Sequence, residues 1–598
     1  MCGRRRHRRH DESGAYRNSH RAGMVHSRCF HQPRRSRPDH KHHGAVAARP
    51  ILRRRSCPIR GADGQWRPQT VRACEGALPP ATRGREPQLR RGWAAEGVPA
   101  HRPRRDRHRN RAADSRVVEG TTGLRSALSE LNGQSFEAVV IGGGINGAAS
   151  ANRLAGAGYE VLLIDAGDFG SGSSSRSSRI MHCGLNYLAA AADATTVRSK
   201  ISNVALAGQM MRERRRLRSV MGRRISPHTF YIPLRAGDPV ASWKYDLAFA
   251  VLNALSGWDS TLDYRRYRQN ELGHIGITRY FGGGLTGLAA FTEYVFDWPE
   301  RICVDLALDA AAYGATIRNY TELVAAHSVN GRWRVTLADR RGETGTAEID
   351  AKLLLNLAGP GSDLVNAACG LSDSRTVTPN KGCHIAVRLP EEFRGAGVIS
   401  RNELGHLFLC VPWKNFHILG PTETPLKGFV RDPVAGEEDV ASILDRANAT
   451  LPRLGLTKSD VMFAWAGLRP ATHDPGNPRG SWRRTIYDHL TCNNAPMVSV
   501  SWGRLADHSF TASDMLARAQ KYLGQRQRPA RRSAQSGQDM PGSVEDILFR
   551  RTGAGWSADL GLSEAARAAA ELQSEGTSVE KLLTSYTKML AEHFRYQH

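Results

Sequence analysis

The sequence predicts an α/β fold built around a parallel sheet, and two buried strands with a helix between them point to it. Residues 136–141 form a mostly apolar run between glycines, which is typical of a strand buried on both faces. Residues 147–157 mix small and apolar residues as a packed helix does, and residues 160–165 form a second buried strand. Strand, helix and strand in this order make a βαβ unit, from which parallel sheets are built.

The rest of the chain adds a second sheet and a helical end. Asn330-Gly331 lies between two apolar runs and predicts a tight hairpin. Residues 383–420 alternate as a second sheet would, whereas residues 230–291 follow no clear pattern. Further helices are predicted at 123–131, 195–218 and 299–313, and further strands at 315–320, 322–328, 332–338 and 350–357. The predicted domains are a tail (1–118), an α/β body with an interleaved second sheet (123–524), a polar linker (525–542) and a small all-α domain (543–598).

Positive charge is concentrated at the start of the chain. The formal net charge is +27, from 84 Lys and Arg against 57 Asp and Glu. Residues 1–118 hold 30 of these basic residues and 9 of the acidic ones, so the body is close to neutral. The basic pI therefore does not indicate a body that binds nucleic acid, and we expect no specific nucleic-acid partner.

The first 118 residues do not have the pattern of a folded domain. They are rich in Arg, His, Gly and Pro, hold a single lysine, Lys41, and show no sustained apolar period. Such a segment cannot bury enough apolar surface to offset its ordering entropy, so we expect disorder. The near-absence of Lys is typical of a GC-rich reading frame translated upstream of the true start, so we interpret the tail as not native. A basic arm for nucleic acid or anionic lipid and a transit peptide are the alternatives.

The remaining compositional features favour a protein of a reducing compartment. No apolar run reaches the ~20 residues of a membrane-spanning helix, and no secretory signal is recognisable. The ten cysteines include no CxxC pair and no metal-ligand spacing, so we expect free thiols and no metal site. These observations predict a cytoplasmic location.

A glycine-rich motif joins the first strand to the first helix. Residues 142–147 read Gly-Gly-Gly-Ile-Asn-Gly and fit GxGxxG. Gly142 permits the tight turn, Gly144 lets the backbone approach a pyrophosphate, and Gly147 allows close helix–sheet packing. Asp165 ends the next strand, where an acid is placed for ribose hydroxyls. The motif predicts a Rossmann-like dinucleotide site and leaves both NAD and FAD open.

The segment that follows resembles a known signature. Residues 170–188 read Gly-Ser-Gly-Ser-Ser-Ser-Arg-Ser-Ser-Arg-Ile-Met-His-Cys-Gly-Leu-Asn-Tyr-Leu. This is similar to the second signature of FAD-dependent glycerol-3-phosphate dehydrogenases, within the D-amino-acid-oxidase-like superfamily. In that family a serine-rich loop lies against the cofactor, and a His-x-Gly-Leu-x-Tyr stretch approaches the flavin ring. The resemblance implies FAD as the cofactor, with contacts from Ser174, Ser175 and Ser178.

Other stretches resemble the same family in the same order. They are Asn-Leu-Ala-Gly-Pro (356–360), Lys-Gly-Cys-His (381–384), Pro-Trp (412–413), Leu-Gly-Pro-Thr-Glu (419–423), Ala-Gly-Leu-Arg-Pro (466–470), Ser-Val-Ser-Trp-Gly-Arg-Leu (499–505) and Glu-Asp-Ile-Leu-Phe-Arg-Arg-Thr (545–552). The resemblance covers about residues 123–594. It implies that Gly359 and Gly503 lie against FAD, and we place Val324 with them among the cofactor-binding residues. It also implies an antiparallel substrate sheet and a C-terminal helical domain.

The resemblance places four side chains at the substrate. Arg469 lies on the stretch that carries a substrate-binding arginine, and Arg504 lies in the final loop over the flavin. His384 is the candidate base, because its ordinary pKa suits proton transfer near neutral pH. Tyr187 is a candidate hydrogen-bond donor to substrate. The alternatives are a surface arginine at 469, a core histidine at 384 and a core aromatic at 187.

The chain departs from the family mostly on the substrate side. Asn186 stands where the family has arginine, Arg504 where it has lysine, and Ala-Asp-His (506–508) replaces Thr-Thr-Tyr. Asn186 lacks one positive charge that would face a phosphate. Arg504 keeps its charge and can hold an oxyanion with two hydrogen bonds, but it cannot act as a base. The C-terminal domain is also shorter than the family's.

The resemblance implies an enzyme that oxidises sn-glycerol 3-phosphate, or a similar polyol phosphate, to the ketone (dihydroxyacetone phosphate). Hydride would pass to flavin N5, and electrons would pass to a quinone or another acceptor, with peripheral contact at the inner face of the membrane. Two alternatives stay open. One is oxidation of another anionic hydroxy acid or amino acid, and the other is a flavin-binding protein with little catalysis. The sequence predicts no oligomeric state.

Overall fold

The computed structural model describes residues 127–192, 194–258, 260–372, 375–401, 406–490, 495–527, 530–533, 539–573 and 577–594. It also describes two strands, β1 (Ile59–Arg60) and β2 (Trp66–Arg67), which pair antiparallel with each other. The expected disorder of residues 1–118 otherwise lies outside the described residues. Residues 113–598 form one compact unit by themselves.

The other elements are numbered in chain order. The strands are β3 (Ser135–Ile141), β4 (Val161–Ile164), β5 (Ile225–Arg235), β6 (Arg265–Arg268), β7 (Leu285–Phe296), β8 (Thr316–Arg318), β9 (Thr321–Val329), β10 (Arg332–Asp339), β11 (Thr346–Asn356), β12 (Val377–Val387), β13 (Ala396–Arg401), β14 (Leu407–Trp413), β15 (Phe416–Gly420), β16 (Thr424–Pro425), β17 (Val461–Thr472), β18 (Thr485–Leu490) and β19 (Pro496–Ser501). The helices are α1 (Ile145–Gly156), α2 (Leu185–Ala192), α3 (Val197–Met221), α4 (Ser242–Leu255), α5 (Pro299–Ala312), α6 (Ser362–Ala368), α7 (Glu437–Thr450), α8 (His508–Leu523), α9 (Ala565–Glu571) and α10 (Val579–His593).

The first sheet is the predicted parallel one. Strands β19, β11, β3, β4 and β8 lie side by side in that order and run parallel, and β18, β10 and β9 extend the sheet antiparallel. Helices α1, α5 and α8 pack together on one face through small residues such as Ala151, Ala307 and Ala519. Asn330 and Gly331 have φ of 50° and 75°, as the predicted tight hairpin between β9 and β10 requires. The carboxyl ends of β3, β4, β11 and β19 meet at one edge, where ligands bind in such sheets.

The second sheet is antiparallel, as predicted, except at one junction. Its strands follow the order β16, β12, β15, β14, β13, β5, β7 and β6, with β17 also paired to β12. Strands β13 and β5 run parallel, and they join a part from residues 225–296 to a part from residues 377–472. Helix α7 covers one face of β12. The other face of β12 carries His384, which contacts the α/β part of the molecule through Ser178.

Some elements differ from the prediction. The expected helix at 123–131 is a single 3₁₀ turn, Leu128–Leu131, within the described residues. The charged helix starts two residues later than expected because the Thr196 hydroxyl accepts a hydrogen bond from Ser199 N–H at 3.2 Å and caps its first turn. Residues 230–291, which showed no pattern, hold most of β5 and β7 together with α4 and β6.

A buried ion-pair network holds the C-terminal segment to the parallel sheet. Asp168, in the loop after β4, accepts from Arg550 Nε at 2.7 Å and from Asn319 Nδ2 at 2.8 Å, and it also pairs with Arg551. Both arginines belong to a π-helical stretch, Asp546–Thr552. Burial works to raise the pKa of Asp168, but the two arginines outweigh it and lower that pKa. Asp168 is therefore a buried carboxylate that stays charged because of the C-terminal segment.

Candidate cofactor and substrate site

The turn between β3 and α1 forms a cradle that a side chain would fill. Gly142 has φ of 102°, and a Cβ there would lie 2.6 Å from the carbonyl oxygen of Leu357 on the neighbouring strand. A Cβ at Gly147 would overlap the carbonyl oxygen of Gly142. Gly144 is the N-cap of α1 and offers no side-chain cap. The first N–H group of α1, that of Ile145, donates to Ser174 Oγ, whereas the next two N–H groups of the first turn have no intrahelical acceptor. This end of α1 therefore fits a dinucleotide pyrophosphate.

Asp165 connects the glycine turn to the next strand. Its carboxylate accepts hydrogen bonds from Gly143 N–H at 2.5 Å and from Gly167 N–H at 2.7 Å. Each oxygen keeps a second lone pair that ribose hydroxyls can use. Burial raises the pKa of Asp165 to about 6, although the two backbone hydrogen bonds oppose that rise. This carboxylate therefore gains or loses its charge within the range of ordinary buffers.

We expect the affinity for FAD to fall at acid pH because of Asp165. A ribose hydroxyl that donates to the carboxylate favours its ionised form, so protonation below pH ~6 opposes binding. The apparent dissociation constant should be about tenfold higher at pH 5 than at pH 7.5. Quenching of flavin fluorescence on titration into the apoprotein measures it. Asp165→Asn should bind weakly at both values, and Asp445→Asn, at an exposed site on α7, should behave as wild type. If the dissociation constant of Asp165→Asn changed with pH as much as that of the wild type, this role of Asp165 would be contradicted.

The three predicted serines have different partners in the loop after β4. Ser174 Oγ accepts a hydrogen bond from Ile145 N–H at 3.0 Å, so it lies at the N-terminus of α1. Ser175 Oγ donates to two backbone carbonyls of its own loop and keeps that loop folded. Ser178 Oγ lies 2.9 Å from Nε2 of His384 on the second sheet. The loop thus connects the nucleotide cradle with the strand that carries the candidate base.

Gly359 and Gly503 follow two neighbouring parallel strands, and Val324 lies elsewhere on the same sheet. Gly359, with φ of 57°, opens a turn after β11 that contacts both β12 and β17. At Gly503, just after β19, a Cβ would lie 2.5 Å from Nδ2 of Asn146 in the glycine motif. Val324 is half-exposed at an irregularity between β9 and β10, and β9 packs against α6. The two glycines therefore lie at the cradle, and the role of Val324 stays a prediction.

The second sheet presents a set of side chains that we call the substrate face: Asn380, Gly382, His384, Trp465 and Arg469. In the register of β12 and β17, Asn380 lies opposite Arg469, and His384 lies opposite Trp465. Alternate residues of a strand share one face of a sheet, and directly opposed residues do so too. The β12 side chains of the opposite face, such as Cys383 and Ile385, pack under α7. Gly382 has no side chain and therefore leaves space on the substrate face.

Arg469 uses that space. Its guanidinium lies over Gly382, where a Cβ would overlap it, and Nη1 donates to the carbonyl of Thr422 at 3.2 Å. Among the described residues, no carboxylate forms an ion pair with Arg469. Burial lowers its pKa from the ordinary value, which shows that the charge is costly there. The charge of Glu423 opposes that fall in pKa without forming an ion pair with the guanidinium. A partly buried cation that pairs with no carboxylate among the described residues is suited to an anionic ligand.

His384 has the protonation state that a base needs. The side chain is 2% exposed, it stacks on Trp465 at 5.4 Å between ring centroids, and its Nδ1 has no hydrogen-bond partner among the described residues. Burial lowers its pKa to about 3, and Arg469 and Arg179 add to the effect. The imidazole is therefore neutral near pH 7, but a pKa this low makes it a weak proton acceptor in the ligand-free protein. The ordinary pKa on which the sequence argument for His384 relied does not hold at this buried site.

Tyr187 and Arg504 form a second group beside the substrate face. The Arg504 guanidinium lies over the Tyr187 ring, 4.5 Å from its centroid. Burial and Arg504 lower the pKa of His182 to about 3, so this histidine of the signature is neutral as well. Trp502 N–H donates to the carbonyl of Pro470 at 2.9 Å and links the loop of Arg504 to the end of β17. The four predicted substrate residues thus lie as two pairs, His384 with Arg469 on β12 and β17, and Tyr187 with Arg504 on α2 and the loop after β19. This hydrogen bond joins the segments of the two arginines.

Two further arginines near the start of β18, Arg483 and Arg484, have partners of their own. Arg484 pairs with Asp514 at 2.6 Å, and Arg483 donates to Asn203 Oδ1 at 2.6 Å. Asn186 is exposed on α2. These contacts favour Arg469 and Arg504 as the cations for an anionic ligand. Among the described residues, no cluster of His, Cys, Asp or Glu could hold a metal ion.

Sequence reasoning missed Arg179, which supports the serine loop from within. Its side chain is fully buried, pairs with Glu300 at 3.1 Å, and lies 3.8 Å and 4.5 Å from the ring centroids of Trp413 and Trp556. Burial lowers its pKa from the ordinary value, while Glu300 opposes that change. The only local signal was an arginine within a serine-rich stretch, and its partners lie more than a hundred residues away.

Comparisons with known proteins agree with this geometry. The family described as FAD dependent oxidoreductase matches residues 137–503. The chain is 25% identical over 433 residues to a glycerol-3-phosphate dehydrogenase of Synechocystis sp., covering 69% of this chain and 74% of that protein. It is 29% identical over 384 residues to the D-erythritol 1-phosphate dehydrogenase of Brucella abortus, covering 62% and 71%.

A solved structure shows the same fold. The glycerol-3-phosphate dehydrogenase from Bacillus halodurans, complexed with FAD, has a TM-score of 0.50 and 21% identity, and the match covers 77% of this chain and 80% of that one. The family match spans more than half of this chain and includes the glycine cradle, the serine loop and both sheets. The chain therefore belongs to the FAD dependent oxidoreductase family, and FAD is its cofactor.

Proposed function

We propose that this enzyme oxidises sn-glycerol 3-phosphate, or a similar polyol phosphate, at a secondary alcohol to give the ketone, which is dihydroxyacetone phosphate for the first substrate. The observation that carries the proposal is the substrate face, where Arg469 has no carboxylate partner among the described residues and neutral His384 lies on the adjoining strand. An anion-binding cation and a proton acceptor beside the cofactor loop suit an anionic alcohol. The names of the relatives support the substrate class.

Each side chain has a distinct task in this proposal. Arg469 holds the phosphate, and Arg504 supports the same end of the substrate from the neighbouring loop. His384 accepts the proton of the hydroxyl that is oxidised. A bound phosphate dianion offsets the charge of Arg469, which is one cause of the low pKa of His384, so substrate binding makes the imidazole more basic. Bound FAD supplies the acceptor for the hydride that leaves carbon.

We expect Arg469→Ala to raise KM for sn-glycerol 3-phosphate about ten- to a hundredfold. A charge-assisted hydrogen bond contributes about 1.5–3 kcal/mol, and here it would be lost to the substrate. Steady-state kinetics with an artificial electron acceptor measure the change. Arg334→Ala, at an exposed position of β10, is the matched control and should leave KM unchanged. If Arg469→Ala kept the KM of the wild type, the phosphate would have to bind elsewhere.

The presence of Arg504 supports a second candidate function, the oxidation of another anionic hydroxy acid or amino acid. Its planar guanidinium lies over Tyr187 and could hold a carboxylate with two hydrogen bonds, which lysine cannot do. If the substrate is a polyol phosphate, Arg504→Lys restores the family residue, and kcat/KM should hold or rise. If the substrate is a carboxylate, kcat/KM should fall. A holoenzyme that oxidises neither class would support a flavin-binding role with little catalysis.

We propose that the electrons pass to a quinone or another acceptor, and that the protein is cytoplasmic and contacts the inner face of a membrane peripherally. Among the described residues, no helix is both long and apolar enough to span a membrane. Two helices that touch each other, α3 and α4, and the turn after α4 expose apolar side chains. We call these side chains the helix surface: Val197 and Ile201 on α3, Trp243 and Leu247 on α4, and Trp258 in the turn. Exposed Arg198, Lys200 and Lys244 adjoin them in sequence, and this combination suits an anionic interface.

We expect the protein to bind vesicles that contain anionic lipid through the helix surface. Trp243 and Leu247 are 58% and 56% exposed, so Trp243→Ser with Leu247→Ser should leave the fold intact and weaken binding about tenfold or more. Co-sedimentation at two ionic strengths measures binding, which should fall with salt. Leu364→Ser, another exposed apolar site, is the control. If the double variant bound the vesicles as tightly as the wild type, membrane contact would belong to another surface.

A further inference from the structure

Asn380 is a buried amide that the protein itself does not satisfy. Its exposed fraction is 0%, and neither Nδ2 nor Oδ1 has a hydrogen-bond partner among the described residues. Buried amides in proteins almost always have partners, because an unpaired donor or acceptor costs folding free energy. Asn380 bears that cost at two atoms, so a water molecule or a ligand group is needed to complete its hydrogen bonds.

The position of Asn380 identifies where that group must lie. Asn380 is directly opposite Arg469 across β12 and β17, on the substrate face. The polar neighbours on this face are already engaged. Thr378 Oγ1 is 3.2 Å from His473 Nδ1, and Arg469 Nη1 donates to the carbonyl of Thr422. Neither side chain pairs with the amide of Asn380, and a ligand held by Arg469 would lie on the same face of the sheet.

The chemistry of an amide defines the ligand. Nδ2 donates and Oδ1 accepts, so the missing group must offer both an acceptor and a donor. A hydroxyl does both, and neighbouring hydroxyls of an acyclic polyol can engage the two amide atoms at once. We propose that Asn380 is a specificity-determining residue that binds a spare hydroxyl, one that is not oxidised, on the polyol phosphate held by Arg469. This inference rests on the proposed function.

The proposal predicts selectivity for hydroxyl number. Sites built to hydrogen-bond a substrate hydroxyl discriminate against analogues that lack it. The test series is 2-hydroxypropyl phosphate, sn-glycerol 3-phosphate and erythritol 1-phosphate, which carry none, one and two spare hydroxyls. Wild-type holoenzyme should show kcat/KM rising along the series, about threefold to tenfold for each hydroxyl that is bound. Asn380→Leu, of similar size, and the smaller Asn380→Ala should make the three values nearly equal.

A second measurement does not depend on activity. Removing an unpaired amide should stabilise the substrate-free protein, so Asn380→Leu should raise the melting temperature by roughly 1–3 °C. Asn448 is the matched control, because both of its amide atoms are satisfied, by Leu456 O at 2.8 Å and Leu456 N at 2.9 Å. Asn448→Leu should therefore lower the melting temperature. The two asparagines should thus respond in opposite directions to the same substitution.

The outcomes separate this inference from the proposed function. If the wild type oxidises none of the three phosphates, the proposed function fails. If it oxidises them but Asn380→Leu and Asn380→Ala lower all three values by the same factor, the proposed function stands and Asn380 is not a specificity residue. A lower melting temperature in Asn380→Leu would show a structural role and overturn the inference. Loss of flavin absorbance from the purified variants would assign Asn380 to the cofactor and overturn it as well.

Discussion

Replacing Asp168 by alanine is expected to lower the free energy of unfolding by about 3–5 kcal/mol, the range measured when one partner of a buried ion pair is removed. The carboxylate has no exposed surface, and it accepts hydrogen bonds from Arg550, Arg551 and Asn319. Without it, two arginines that are nearly as buried would lose a shared counter-charge. Denaturant unfolding followed by tryptophan fluorescence measures the change, because Trp556 is buried beside this segment.

Two further variants show whether charge or packing is responsible. Asp168→Asn keeps the size of the side chain and removes only the charge, so it should be destabilised nearly as much as the alanine variant. Glu391→Ala breaks an exposed pair with Arg394 and should cause no measurable change. If Asp168→Asn is as stable as wild type, the arginines find sufficient partners in Glu545 and Asp546, and Asp168 is not essential to the network.

Gly147→Ala is expected to abolish FAD retention. The added Cβ would overlap the carbonyl oxygen of Gly142. The backbone of neither residue can move without opening the turn between β3 and α1. Overpacking at well-packed positions costs about 1–3 kcal/mol and displaces backbone. Because the displaced turn is the one that faces the pyrophosphate, we expect flavin occupancy to fall at least tenfold. The ratio of flavin to protein absorbance in the purified protein measures it.

The control for this variant lies in the serine loop. A Cβ at Gly172 would meet no atom within 4 Å, so Gly172→Ala should keep its flavin. Gly144→Ala is intermediate, since its Cβ would lie 3.2 Å from Ser174 Oγ, in the path of a ligand rather than against backbone. We expect that variant to fold normally and to bind FAD more weakly. Full flavin occupancy in Gly147→Ala would mean that the cofactor does not depend on this turn.

Local signals in the sequence were sufficient for the nucleotide cradle. The glycine motif, the buried strands around it and the Asn330-Gly331 hairpin depend on neighbouring residues, and the structure confirms these elements. Residues 230–291 showed no clear pattern in the sequence because their strands pair with strands that are far away in the chain. Strand β5 pairs with β7, about sixty residues later in the chain, and with β13, which is further still.

The candidate site was predictable only in part, for the same reason. Resemblance pointed to His384 and Arg469 separately, but no pattern in the sequence could show that β12 and β17 pair in a register that puts both on one face. Asn380 carried no signal at all, since an asparagine in a strand is noticed only when its missing partners are known. The different tasks of Ser174 and Ser175 follow from the shape of their loop, which the sequence alone does not define.

The chain crosses repeatedly between its two sheets, and this limits how such an enzyme can change its substrate in evolution. The antiparallel sheet is assembled from residues 225–296 and 377–472, while strands of the parallel sheet precede, separate and follow these parts. No single stretch of gene encodes the antiparallel sheet, so recombination cannot exchange the sheet as a cassette. New specificity must arise through point substitutions on an inherited scaffold, and positions such as Asn380 and Arg504 are where that history should be sought.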